Sequence, residues 1–169
     1  MTAVTAASPS IFVLDANVFI EAAKGYYAFD LAPKFWNGLL ANGTAGRICT
    51  VDRIAAEVMS PTPVKDWINT QFMPCVKAST GPDTLIHYAA LMRWANAEPF
   101  TIAAKSEFAT VADAWLVAYS RAVGGIVVTH EAFDANCKRR VKIPNACQHL
   151  GVQYINTFDM LRTLGMTIG

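Results

Sequence analysis

The sequence predicts an α/β fold: a mostly parallel sheet with helices on both faces, an α/β/α sandwich. Three observations carry that expectation. Short aliphatic runs alternate with segments of helical periodicity along nearly the whole chain. The runs are apolar at every position, as in strands buried on both faces, rather than at every second position. The first of them ends directly at an acid, Asp15, and open α/β folds place their sites at the carboxyl ends of strands.

Ile11-Phe-Val-Leu14 is the first strand, and a helix follows from about Asn17 to Lys24. Asp30 and Pro33 open a second helix through Leu40, which Asn42-Gly43 is expected to end. Arg47 to Val51 is the second strand. Asp52 is a candidate N-cap for a helix that carries Ile54 and Val58 four apart on one face. Ser60-Pro-Thr-Pro63 stops it. Val64 to Phe72 is amphipathic, and Pro82 to Ala97 is a longer helix. From Phe108 to Tyr119 apolar residues recur at Val111, Ala112, Trp115 and Leu116, again at helical spacing. Gly124-Gly125 separates this helix from the strand Ile126 to Thr129. Pro144 to Leu150 is a short helix closed by Gly151, Val152 to Ile155 the last strand, and Thr157 to Leu164 the final helix.

The 169 residues suit one domain, residues 1–169, with residues 1–9 expected to be flexible. Apolar residues make up 53% and charged residues 16%, which excludes a disordered chain. Mean hydropathy is positive, at +0.28, which fits either a large core or apolar surface covered by a partner. No run is long enough to span a bilayer, and the leading segment lacks the pattern of a signal peptide, so a cytoplasmic protein with no membrane contact is expected. Cys49, Cys75, Cys137 and Cys147 are scattered, without C-x-x-C spacing, and read as reduced thiols. The net charge of +1 excludes a globally basic nucleic-acid binder. Any such contact needs a local patch, and Lys138, Arg139, Arg140 and Lys142 form the one dense basic run.

Four acids stand where chemistry is expected. Asp15 ends the first strand, with Asn17 two residues on, and it also suits an N-cap. Glu57 follows the second strand, though Arg53 four residues earlier could pair with it. Asp113 borders apolar Ala112, Trp115 and Leu116, though Thr110-Val-Ala-Asp113 also reads as a capping box. Glu131 lies just beyond the strand that ends at Thr129. Together they suggest a carboxylate cluster without its own counter-cation, which needs protons or a metal to exist. Oxygen-only ligands suit Mg2+ or Mn2+, the usual cations of phosphodiester chemistry. Tyr26, Tyr27 and Trp36 could stack on bases, but core or interface packing is the stronger expectation.

These motifs resemble the PIN domain, the nuclease fold of the VapC-type toxins. The family's D-x-N-x-x-I is here Asp15-Ala-Asn17-Val-Phe-Ile20. Its second acid matches Glu57 in Arg53-Ile-Ala-Ala-Glu57-Val58, and its A-D-x-x-[LI]-[VI]-A matches Ala112-Asp113-Ala-Trp-Leu116-Val117-Ala118. Its T-x-D is Thr129-His130-Glu131, with Glu in place of Asp and so one methylene more reach. Tyr26-Tyr27-Ala-Phe29-Asp30 and Val141-Lys-Ile-Pro-Asn-Ala-Cys147 look like a bacterial PIN-like subgroup that is toxin-like. The resemblance spans about Ile11 to Ile155. It implies a metal-dependent endoribonuclease that cleaves single-stranded or tRNA- and rRNA-type RNA, and a cognate antitoxin and a homodimer as partners. It implies that Asp15, Glu57, Asp113 and Glu131 bind Mg2+ or Mn2+ directly or through water, with Asn17 and Thr129 in support.

Other readings fit less well. A phosphatase with D-x-D after the first strand would need an acid where Asn17 stands. A receiver domain would need a lysine that does not follow the strand ending at Thr129, and a dinucleotide-binding domain would need a G-x-G-x-x-G. A PIN-like RNA-binding or regulatory module with weak catalysis is the remaining alternative.

Overall fold

The aliphatic runs form five strands: β1 (Phe12–Leu14), β2 (Ile48–Val51), β3 (Val76–Lys77), β4 (Ile126–Val128) and β5 (Tyr154–Ile155). In the computed structural model, which describes residues 9–25 and 27–168, they make one sheet in the order β3-β2-β1-β4-β5. Every pairing is parallel. Every residue of β1 and β2 is buried. Successive side chains of a strand point to opposite faces, so both faces of the sheet are covered. The architecture is the expected three-layer α/β/α sandwich. The expectation of flexibility at the start lies, for residues 1–8, outside the described residues, and so does the reading of Tyr26.

The covering helices are α1 (Ala16–Lys24), α2 (Pro33–Thr44), α3 (Asp52–Glu57), α4 (Thr62–Asn69), α5 (Pro82–Ala97), α6 (Ile102–Thr110), α7 (Asp113–Val123), α8 (Ile143–Leu150) and α9 (Thr157–Thr163). Helices α5, α7 and α8 pack on one another, and α1, α3 and α4 form a second group. The strand order matters for function. From β1 the chain moves outward on one side to β2 and β3, then returns past β1 to β4 on the other. The direction of winding therefore reverses between β1 and β4, and a crevice opens at their carboxyl ends.

Several local expectations are corrected. Helix α2 does not stop at Asn42-Gly43 but continues to Thr44. Gly43 is a packing residue: a Cβ there would lie 2.5 Å from Cys75 Sγ. The turn comes at Gly46, whose φ of 77° suits glycine. Asp52 is the first residue of α3 rather than its cap, and its Oδ1 accepts from Arg53 N and from the Ser79 amide and hydroxyl. The stretch from Phe108 to Tyr119 is two helices broken at Val111-Ala112, so its apolar periodicity spans a junction. Strand β3 was not anticipated, because two residues carry no periodicity.

One hydrophobic cluster runs through both layers. On the side of α2 and α4 it is aromatic. Trp36 packs against Phe29, Phe35 and Trp67 at ring separations of 4.5, 5.1 and 5.2 Å, and Trp67 stacks on Phe72 at 4.8 Å. Trp36 is fully buried and its Nε1 donates to Tyr27 O at 2.8 Å, while Tyr27 stacks on Phe35 at 4.7 Å. These two rings are packing residues, as the stronger expectation had it. The four cysteines are free.

Candidate active site

The acids gather around the end of the sheet where the winding reverses, near enough to influence one another's ionisation. Asp15 N donates to Val128 O at 3.0 Å, so its backbone still belongs to the ladder between β1 and β4. Its side chain is thereby placed at the edge of the sheet. Asp15 is also the N-cap of α1, with Oδ1 accepting from Ala16 N at 2.7 Å. The other oxygen, Oδ2, accepts from the Thr129 hydroxyl at 3.2 Å. The cap and the site are thus the same residue. Thr129 is buried beyond β4, and its hydroxyl oxygen also accepts from Glu131 N at 3.2 Å.

Asp113 begins α7, and the expected capping box is not formed: Ala112 is the N-cap, and Thr110 closes α6 by donating to Glu107 O. Glu57 caps the junction from across the sheet edge instead, its Oε1 accepting from Ala112 N at 3.0 Å. Arg53 is spent elsewhere: its guanidinium lies 4.1 Å over the Trp115 ring and its Nε donates to Ser79. Glu131 accepts from Ile143 N, the first amide of α8, at 2.8 Å. Four elements thus each deliver one acid to the same end of the sheet.

Electrostatics show that they share one environment. Burial pushes Asp15 up from 3.8 to about 6, against the lowering effect of the Ala16 amide, and the charges of Glu131 and Glu57 push the same way. Burial also pushes Asp113 up to about 7, helped by Asp15, Glu131 and Glu57 and opposed by Arg140. Two buried acids that resist ionisation near neutral pH need protons or nearby positive charge to be held there.

A cation from the chain itself is present, which corrects the expectation of a cluster without one. Arg140 pairs with Glu131, and the same nitrogen, Nη2, lies 3.5 Å from Asp113 Oδ2. The sequence did not single Arg140 out from its basic run. The rest of that run disperses. Lys138 lies over Phe100 at 5.5 Å, Lys142 Nζ donates to Ala132 O, and Arg139 is exposed. Among the described residues no three acidic, imidazole or thiol groups converge closely enough to hold an ion as they stand. The donor set nevertheless fits a hard divalent cation: it is all oxygen, it is anionic, and its two buried members lack sufficient positive charge. Asn17, in the first turn of α1, is half-buried.

Two features escaped the sequence reading. The amide of Ile143 fixes Glu131, and backbone donors leave no signature in side-chain identity. Beside the acids, Val18, Glu21, Ala22, Tyr27, His130 and Phe158 line an apolar cavity of about 300 Å3.

The parallel sheet in this strand order, flanked by helices, is the PIN-like fold that the sequence resemblance implied. Two solved structures share it. One is FitAcB from Neisseria gonorrhoeae, 15% identical, with a TM-score of 0.53 over 88% of this chain and 99% of that one. The other is VapBC2 from Rickettsia felis bound to a DNA fragment from their promoter, 15% identical, with a TM-score of 0.51 over 86% of this chain and 98% of that one. The chain itself belongs to the family described as Domain of unknown function (DUF4411), whose profile matches residues 12–168. Comparison with curated proteins gave no match.

Proposed function

We propose that this protein is a divalent-metal-dependent endoribonuclease and the toxin of a toxin–antitoxin pair. The observation that carries the reading is the delivery of Asp15, Glu57, Asp113 and Glu131 by four separate elements to the crevice between β1 and β4. Asp15 and Asp113 would hold Mg2+ or Mn2+ directly, with Glu57 and Glu131 reaching it directly or through water. The ion would supply Lewis acidity toward a phosphodiester and an activated water. The chain's own groups do the positioning. Thr129 holds Oδ2 of Asp15 and the Glu131 amide together, and Asn17 stands one turn from the crevice. Single-stranded or tRNA- and rRNA-type RNA is the substrate class, and Arg139 with its basic neighbours is the candidate phosphate contact.

The VapC-type motifs, together with the likeness to VapBC2, support an antitoxin partner; we take the chain to be a single domain acting in the cytoplasm. No helix among the described residues is long and apolar enough to cross a membrane. Exposed Leu31, Ile86, Ile102 and Phe158 offer apolar surface to an antitoxin or to a second copy in a homodimer. The second reading, an RNA-binding or regulatory module, is favoured by one observation: Arg140 already engages two of the acids.

Cleavage of a mixed pool of single-stranded and structured RNAs separates the two. Purified protein is assayed with Mg2+, Mn2+ or chelator, beside the D15N/D113N double variant. We expect cleavage that chelator abolishes and that falls in the variant by at least roughly ten- to a hundredfold, the range that loss of a ligand's supporting partners alone costs. RNA binding without metal-dependent cleavage would establish the module instead.

A further inference from the structure

We propose that Arg140 is a built-in stand-in for the divalent cation: its guanidinium occupies the acidic crevice and must leave when the ion enters. This rests on the metal-dependent reading above and adds a regulation of that site. One nitrogen, Nη2, faces both Glu131 and Asp113, so the positive charge sits between two carboxylates as a bridging ion would. The acids come from different elements, Asp113 from the start of α7 and Glu131 from the loop after β4. Their mutual repulsion is relieved in a folded, ion-free state by protons or by a counter-charge, and Arg140 supplies the counter-charge.

The loop that carries Arg140 is firmly fastened on both sides. Asn145 accepts from Asp134 N and donates to Asp134 O, Thr101 N donates to Lys138 O, and Val141 and Ile143 are buried. The Arg140 side chain, in contrast, is 49% exposed. The backbone therefore holds the guanidinium within reach of the acids, while the side chain can swing into water without unfolding anything. A divalent ion and a guanidinium at the same carboxylates repel each other, so ion entry and guanidinium departure are coupled. A guanidinium released at the mouth is also placed to meet an anionic substrate.

The test is binding of Mn2+ alone, without RNA, to the full-length wild type, R140Q and R140K, followed by the electron paramagnetic resonance signal of free Mn2+. Removing the competitor is expected to tighten binding roughly tenfold in R140Q, the effect of an interaction worth about 1.4 kcal/mol. R140K keeps the charge on a more mobile ammonium and should fall between. Thermal unfolding of the same proteins supplies a second readout, the metal dependence of the gap between them, which a merely structural pair would not show. R140Q should melt lower than wild type without metal, and the gap should close with saturating Mn2+. Equal or weaker Mn2+ binding by R140Q, or a gap that metal leaves unchanged, would overturn the stand-in role while leaving the nuclease reading intact. No Mn2+ binding by any of the three would overturn both.

Discussion

The aromatic side of the molecule and its acidic edge are built on opposite principles. Around Trp36, Trp67, Phe29 and Phe72, every contact favours folding, and rings meet in stacked and edge-to-face pairs. At the end of β1 and β4, burial and like charge oppose folding, and Asp15 and Asp113 hold their protons toward neutral pH as a result. The aromatic rings attract one another, whereas the acids repel one another and are brought near only because four separate elements carry them. The difference agrees with the proposed role of the acids: the group that costs the fold stability is the group to which the proposed function assigns a cation.

The largest expected effect on stability lies on the aromatic side. W36A removes a fully buried ring that touches three others, and should cost about 3–5 kcal/mol, the usual range for truncating a core aromatic. Cleavage per folded molecule should be unchanged, because the ring and hydrogen-bond partners of Trp36 are Phe29, Phe35, Trp67 and Tyr27 rather than any of the acids. Chemical denaturation together with activity normalised to folded fraction measures both. A loss of normalised activity comparable to the loss of stability would break the comparison.

A smaller effect tests the packing of α2 on the segment before β3. A Cβ on Gly43 would lie 2.5 Å from Cys75 Sγ and 3.2 Å from Phe72 Cε2. Alanine is the better helix former, yet overpacking a tight core typically costs about 1–3 kcal/mol and should outweigh the gain in propensity. G43A should therefore melt below wild type. Adding C75A removes the clashing sulfur and should recover part of the loss, a coupling that a double-mutant cycle reads directly.

The sequence made the sheet and three of its edge acids legible for definite physical reasons. Asp15 and Glu131 follow short aliphatic runs rich in β-branched residues, which read as strands buried on both faces of a parallel sheet. Asp113 sits among apolar neighbours at a helix start. Glu57 was legible chiefly through the family motif, since nothing in its own surroundings distinguishes it from a surface residue until Ala112 N is seen beside it. Arg140 was not legible at all, because four cations within five positions are equivalent in sequence, and only the loop's path decides which one turns inward. The break at Val111-Ala112 was hidden because apolar spacing continued across it. Gly43 misled because glycine serves both to end helices and to admit a close neighbour.

The smallest effect follows from the two raised acids and concerns pH. Asp15 and Asp113 rise from 3.8 to about 6 and about 7 on folding, so between those values the folded chain holds protons that the unfolded chain has released. Their contribution to stability is fully present below the unfolded value and is lost as pH rises through the folded ones. Metal-free protein should therefore lose several degrees of Tm between about pH 5 and about pH 8. Saturating Mn2+ should flatten that slope, since the ion takes the place of the protons. D113N should flatten it too, because an amide does not titrate; burial and the neighbouring acids outweigh the opposing charge of Arg140 at this position. At the alkaline end D113N should melt above wild type while cleaving no RNA. Parallel melting curves for wild type and D113N across the range would show instead that the acidic edge costs the fold nothing, and the contrast with the aromatic side would fail.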